Sequence, residues 1–136
     1  MIREPPEALL ATLKAHAPGS SPSLASVRQE LSAFYAGLQE QTVMGSDHHI
    51  EGVSITNGLR GIWVSLPESL TERVVLFFHG GCFTTGSTDS HLGFCIRLAR
   101  ASRARVFSVD YRLAPENTFP AAVEDAVSAY RFLLSK

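Results

Sequence analysis

The residues with the clearest chemical potential lie in one stretch, Val74-Val75-Leu76-Phe77-Phe78-His79-Gly80-Gly81-Cys82-Phe83. Its run of large apolar residues, with no polar alternation, reads as a strand covered on both faces, as in a parallel sheet. The glycines that follow let the backbone turn sharply and leave its N–H groups uncovered by side chains. N–H groups exposed at the carboxyl end of a parallel strand form a site for a developing negative charge. Anion stabilisation is the chemistry this stretch offers.

Two other chemistries can be written from the same neighbourhood. Cys82 could be a nucleophile, with His79 or His91 as base and Asp89 or Asp110 as orienter. His79-x2-Cys82 followed by His91-x3-Cys95 has zinc-like spacing. Cys95, however, falls on an apolar helical stripe with Leu92 and Ile96, where core packing is the better account. His48 and His49 are neighbours on an expected strand, so one faces in and one out and they do not converge. No metal and no cofactor is expected.

The elements that position these residues must fit in 136 residues, a length that suits one domain with a real core. A composition 45% hydrophobic and 18% charged is globular, and a net charge of −1 gives no electrostatic case for nucleic acid or an anionic membrane. Arg97, Arg100, Arg103 and Arg105 read as the solvated face of a helix and its exit. No apolar run approaches the ~20 residues needed to span a bilayer. Met1-Ile2-Arg3-Glu4-Pro5-Pro6 has no apolar signal core, so a cytoplasmic location is expected. Cys82 and Cys95 are too few for a disulfide scaffold and are expected to be reduced.

Pro5-Pro6 and then Glu7 to Lys14 predict a short helix with Leu9, Leu10 and Leu13 on one side. Ser21 as N-cap and Pro22 at the first position start a second helix reaching about Gln39, with Leu24, Val27, Leu31, Tyr35 and Leu38 on one stripe. Asp47 to Thr56 and Leu59 to Leu66 are predicted strands, and Asn57-Gly58 between them is a strong hairpin signal. In the second strand, Ile62, Val64 and Leu66 alternate with Gly61, Trp63 and Ser65. Pro67 to Thr71 is a predicted turn before the strand Arg73 to Phe78. Asp89 or Ser90 is expected to cap a helix carrying Leu92, Cys95, Ile96 and Ala99. Arg105 to Asp110 is a further buried strand. Pro120 starts a last helix, expected to turn Val123, Ala126, Val127, Tyr130 and Leu134 inward. The order predicts an α/β sheet, an antiparallel hairpin followed by parallel strands with crossover helices. Ligands bind beyond the carboxyl ends of such strands, where the glycine turn lies.

Two long motifs go further. His79-Gly80-Gly81-Cys82-Phe83 with Gly86-Ser87 is followed by Asp110-Tyr111-Arg112-Leu113-Ala114-Pro115-Glu116 and Phe119-Pro120-Ala121-Ala122-Val123-Glu124-Asp125. Together, in this order, they resemble the hormone-sensitive-lipase-like α/β-hydrolases, which include bacterial carboxylesterases. The resemblance covers about residue 50 to the end. It implies that residues 1–45 are a helical cap-like segment and that residues 46–136 are the first half of the hydrolase core. It also implies that the turn at Gly80, Gly81 and Cys82 forms an oxyanion hole, the Gly81 and Cys82 amides donating and Gly80 shaping the turn. Cys82 stands where the family has a third glycine; it still offers its N–H but takes a positive φ less readily. Cys82 as a small replacement for that glycine is accordingly preferred to Cys82 as nucleophile. By the same resemblance His79 shapes the loop and is not a catalytic base, and Asp110, Tyr111, Arg112 and Glu116 are structural. Phe83, Phe34, Tyr35 and Leu38 are candidates for contact with substrate.

Such a hydrolase also needs Gly-x-Ser-x-Gly, an acid and a further histidine, and the sequence has no Gly-x-Ser-x-Gly. The resemblance puts the elbow strand beside Val74 to Phe78, and without it that strand is a bare apolar edge. The core is then expected to lack one side of its helical cover, and the chain not to be a stable monomer by itself. A complementary polypeptide carrying the C-terminal half of the hydrolase is expected, with a small ester as substrate and further assembly open. The expected role is that of the oxyanion-hole part of a serine carboxylic-ester hydrolase, not competent alone. The alternative is a hydrolase-like binding or regulatory module without catalysis.

Overall fold

A computed structural model describes residues 23–44 and 47–136. The helix expected over Glu7 to Lys14 and the Ser21-Pro22 helix start lie outside them. The first described element is helix α1, Leu24–Met44. It begins where Ser23 Oγ accepts from the Ser26 N–H at 3.1 Å, a side-chain cap for an orphan donor of the first turn.

Strands β1 (His49–Thr56) and β2 (Leu59–Ser65) pair antiparallel, Thr56 opposite Leu59. Asn57 and Gly58 between them have φ of 49° and 82°, the left-handed pair that a two-residue hairpin requires. β3 (Leu70–Phe78), helix α2 (Leu92–Ser102), β4 (Ala104–Asp110) and helix α3 (Ala121–Leu134) follow. The four strands form one sheet in the order β1-β2-β4-β3. β4 is antiparallel to β2 and parallel to β3, as a strand–helix–strand crossover between neighbours demands.

Each face of the sheet carries its own core. On one side Val64, Leu66 and Val106 pack with Cys95, Ile96 and Ala99 of α2. On the other, Leu59, Trp63, Phe107 and Val109 pack with Ala129 of α3, flanked by Phe132 and Leu133. Trp63 is therefore buried, tilted against Phe107 at a centroid distance of 4.7 Å. β2 is apolar on both faces because helices lie on both, and its alternation does not separate core from solvent. The expectation of missing helical cover is corrected in the same way. A helix packs on each face over β2 and β4, and the exposed residues lie on the edge strands β1 and β3.

Three further boundaries differ. β3 starts at Leu70, inside the predicted turn, because the Leu70 N–H donates to the Arg103 carbonyl at 2.9 Å. α2 starts at Leu92 after His91, which makes no side-chain cap bond; Ser87 and Ser90 exchange hydrogen bonds with each other instead. α3 is rotated from the predicted orientation. Ala121, Asp125 and Ala129 are buried, Ala129 against the sheet core, while Val123, Val127, Tyr130 and Leu134 are exposed and Ala126 is half-buried. Small residues four apart let the helix sit close to the strands, and the larger apolar stripe is turned away from them.

Candidate functional site

The glycine turn leaves the carboxyl end of β3, an edge strand of the sheet, in a conformation built on positive φ. Gly81, Cys82 and Phe83 have φ of 128°, 54° and 61°. A Cβ on Gly81 would lie 2.1 Å from the Thr85 carbonyl oxygen, and one on Gly86 would lie 2.4 Å from His79 Nδ1. Nothing lies within 4 Å of a Cβ on Gly80, whose φ is not positive. The steric need for glycine thus falls on Gly81 and Gly86.

Below the turn the chain closes on itself. The N–H groups of Thr84 and Thr85 both donate to the Gly81 carbonyl at 3.0 Å, and their hydroxyls donate to it at 3.2 and 3.1 Å. This draws the Gly81 carbonyl inward. Among the described residues, neither the Gly81 nor the Cys82 amide has an acceptor. Two N–H groups free of internal partners at the end of a parallel strand form a place for an anion or a developing oxyanion.

His79 lies under the turn and is buried, its Nδ1 2.9 Å from the Gly80 carbonyl and its ring stacked on Tyr111 at 4.4 Å. The Tyr111 hydroxyl donates to the His79 carbonyl at 2.7 Å. Burial pushes the Tyr111 phenol up from its usual value, with a smaller push from Cys82, so it stays a donor. Asp110, at the end of β4, accepts from the Thr88 N–H and hydroxyl at 2.7 and 2.9 Å. Arg112 forks onto the buried carboxylate of Asp125 and reaches Glu124 at 3.0 Å. The Asp125 carboxylate also accepts the Arg112 N–H at 2.8 Å. These residues hold the loop over the first turn of α3.

Cys82 is exposed and, among the described residues, has no histidine hydrogen-bonded to it. Cys95 is buried between α2 and the sheet, where burial pushes its thiol up to about 11, an inert packing group. His91 stands near His79 at a ring distance of 5.5 Å, and burial followed by the charge of His79 lowers its pKa. Among the described residues no group of His, Cys, Asp and Glu could hold a metal ion. His49 pairs with Ser65, which places it at the end of the sheet opposite the turn.

Two recesses flank Gly80. A cleft of ≈ 420 Å³ runs between Phe78, Phe83 and Tyr111 on one wall and Ala122, Val123 and Ala126 on the other. A groove on the far side is lined by Tyr35, Phe77, His91 and Phe94. Phe83 thus opens onto the cleft and Tyr35 onto the groove, with Phe34 edge-on to Tyr35 at 5.8 Å. The Leu38 side chain lies outside the described residues.

Arg28 of α1 is the residue that the sequence reading missed. It meets Glu116 at 2.8 Å and holds that carboxyl down at about 2. No local signal marks it, since its partners lie 56 to 88 positions away along the chain.

A family model of the α/β-hydrolase fold matches residues 75–136. The esterase LipI of Mycobacterium tuberculosis is 46% identical over 88 residues, 64% of this chain and 28% of that protein. An acetyl-hydrolase of Streptomyces hygroscopicus is 46% identical over 74 residues, 54% of this chain and 24% of the relative. Among solved structures, a hyperthermophilic esterase of the archaeon Pyrobaculum calidifontis superposes with a TM-score of 0.80 at 31% identity, covering 100% of this chain and 45% of its own. An esterase of the bacterial hormone-sensitive lipase family gives 0.78 at 30% identity, with 98% and 44% coverage. The chain therefore spans less than half the length of the proteins it matches. No described helix is long and apolar enough to cross a membrane. With the fold, the glycine turn and these relatives in agreement, the chain has the fold of one part of an α/β-hydrolase and is similar to the hormone-sensitive-lipase-like esterases.

Proposed function

We propose that this chain supplies the oxyanion-hole part of a serine carboxylic-ester hydrolase whose nucleophile, acid and base lie on a segment outside these 136 residues. The observation that carries the reading is the pair of amides, Gly81 and Cys82, held at positive φ beside an apolar cleft and without internal acceptors. In the proposed reaction a serine oxygen attacks the ester carbonyl and its proton passes to a histidine. The carbonyl oxygen becomes an oxyanion and accepts from both amides. Each such donor is typically worth about 3–4 kcal/mol in the transition state. The ester's two substituents would run toward Phe83 and toward Tyr35, with Phe34 supporting the latter side. Residues 1–45 act as a cap and residues 46–136 as half of the core.

The complementary segment, on the same polypeptide or another, sits along the open edge of β3. Support comes from Val74 and Phe78, large apolar residues that are 42% and 37% exposed on a strand with a neighbour on one side only. Two free thiols fit a reducing, cytoplasmic setting.

The test is labelling by a serine-directed phosphonate, with ester turnover and the intact mass of every polypeptide in the folded sample. We expect turnover of small esters, and a label on an elbow serine outside these residues. A folded, complete sample with neither label nor turnover would leave a non-catalytic binding module as the better reading. Replacing Cys82 with Ala should preserve turnover, whereas its abolition would restore the thiol as nucleophile.

A further inference from the structure

The turn that carries the two open amides is held from outside by one side chain. Arg28 donates from Nε to the Thr84 carbonyl at 2.7 Å and from Nη2 to the Ala114 carbonyl at 2.9 Å. Its Nη1 and Nη2 also fork onto the Glu116 carboxylate at 2.8 and 2.9 Å. Thr84 in turn grips the Gly81 carbonyl with its N–H and hydroxyl, and the Ala114 N–H donates to the Phe83 carbonyl at 2.8 Å. A closed circuit results, from α1 through Arg28 to Thr84, Gly81 and Phe83, then to Ala114 and back. An isolated surface ion pair contributes little to stability. A planar guanidinium engaged on a carboxylate and two carbonyls fixes orientation, because its donors diverge at set angles.

We propose that Arg28 is a positioning residue that sets the Gly81 and Cys82 amides by holding Thr84, so that docking of α1 and the geometry of the anion turn are one event. The inference rests on the oxyanion reading above for its effect on rate, though not for the coupling itself. A helix docked through Arg28 keeps the Thr84–Gly81 bonds short and the two amides aligned. A helix released from Thr84 leaves the turn free to relax its positive φ values, with the amides no longer converging.

Arg28→Gln, Arg28→Lys and Glu116→Gln in the complete, ester-hydrolysing protein test this with two readouts. In Arg28→Gln, kcat should fall about tenfold to a hundredfold while KM changes by less than about threefold, the signature of misaligned catalytic groups. Hydrogen exchange of the Thr84 and Thr85 amides should quicken in the same variant, while exchange in β4 stays unchanged. Arg28→Lys should recover part of kcat, and Glu116→Gln, which keeps both carbonyl bonds, should lose less than Arg28→Gln. Unchanged kcat with unchanged Thr84 and Thr85 exchange overturns the proposal. So does a uniform rise in exchange that includes β4, which marks Arg28 as merely structural. Should Arg28→Gln fail to fold, Arg28→Lys and Glu116→Gln decide by the same criteria. If the parent protein hydrolyses no ester, the oxyanion reading fails by itself, and local quickening at Thr84 and Thr85 still upholds the coupling.

Discussion

β3 and β4 are neighbouring parallel strands rich in large apolar residues, over Val74 to Phe78 and at Val106, Phe107 and Val109, yet they have opposite fates. β4 has a strand on each side and a helix over each face, and Val106, Phe107 and Val109 have no exposure at all. β3 has one neighbour, and Val74 and Phe78 remain open to solvent. Their ends differ as well. β4 runs into Asp110, whose carboxylate is committed to Thr88, whereas β3 runs into the turn with two uncommitted amides. Burial belongs to a strand's surroundings, and the strand left open at its edge and end is the one on which the proposed chemistry rests.

The largest effect that would test this contrast is on β4. Phe107, packed between Trp63 and Phe132, should cost about 3–5 kcal/mol when replaced by Ala, measured by denaturant unfolding of the folded protein. A loss under about 1 kcal/mol would mean that β4 is not the centre of this fold. Gly81→Ala should act on rate instead, lowering ester turnover about 10²–10³-fold as the new Cβ meets the Thr85 carbonyl. Gly80→Ala meets open space and should change turnover far less, so equal losses in the two variants would undo the assignment of the turn's geometry.

Next in size is Asp125→Asn beneath the loop. It weakens the hold on the Arg112 side chain and N–H and should cost about 1–3 kcal/mol in the same unfolding measurement. Val74→Ser on β3 should cost no more than ~0.5 kcal/mol while the edge is open. It should cost distinctly more once a complementary strand covers it. An equal cost in both settings would refute the proposed docking edge.

The smallest effect is in pH. The Arg28 guanidinium holds Glu116 at about 2, well below the ordinary 4.5. A depressed carboxyl stabilises the fold above its ordinary value and loses that contribution as the pH falls toward its folded value. The melting-temperature gap between parent and Glu116→Gln should therefore be constant above pH 4.5 and shrink between there and pH 2. A gap independent of pH across that window would show that the Arg28 fork is not formed in solution.

Much of this was legible in the residues. Asn57-Gly58 specifies its hairpin because the pair alone satisfies the left-handed turn. Cys95, Ile96 and Ala99 announce the buried face of α2 by helical spacing. The glycine turn and its relation to a strand end could be read as well. α3 misled, because its large apolar residues mark a stripe without saying which neighbour covers it. Small Ala129 packs on the sheet core, where close approach favours it. Alternation along β2 sets Trp63 apart from Ile62 and Val64 but cannot reveal that a second helix covers its face.

The sequence by itself determined the local elements, the hairpin, the glycine turn and the likeness to α/β-hydrolases, because turn conformations and helical spacing are set by residues within a few positions of one another. Only the tertiary structure decided which apolar strand is buried, which side of α3 meets the sheet and that Arg28 reaches Thr84. Those outcomes depend on surfaces from distant parts of the chain, with Arg28 lying 56 residues from Thr84 and 88 from Glu116. No short-range rule carries that information.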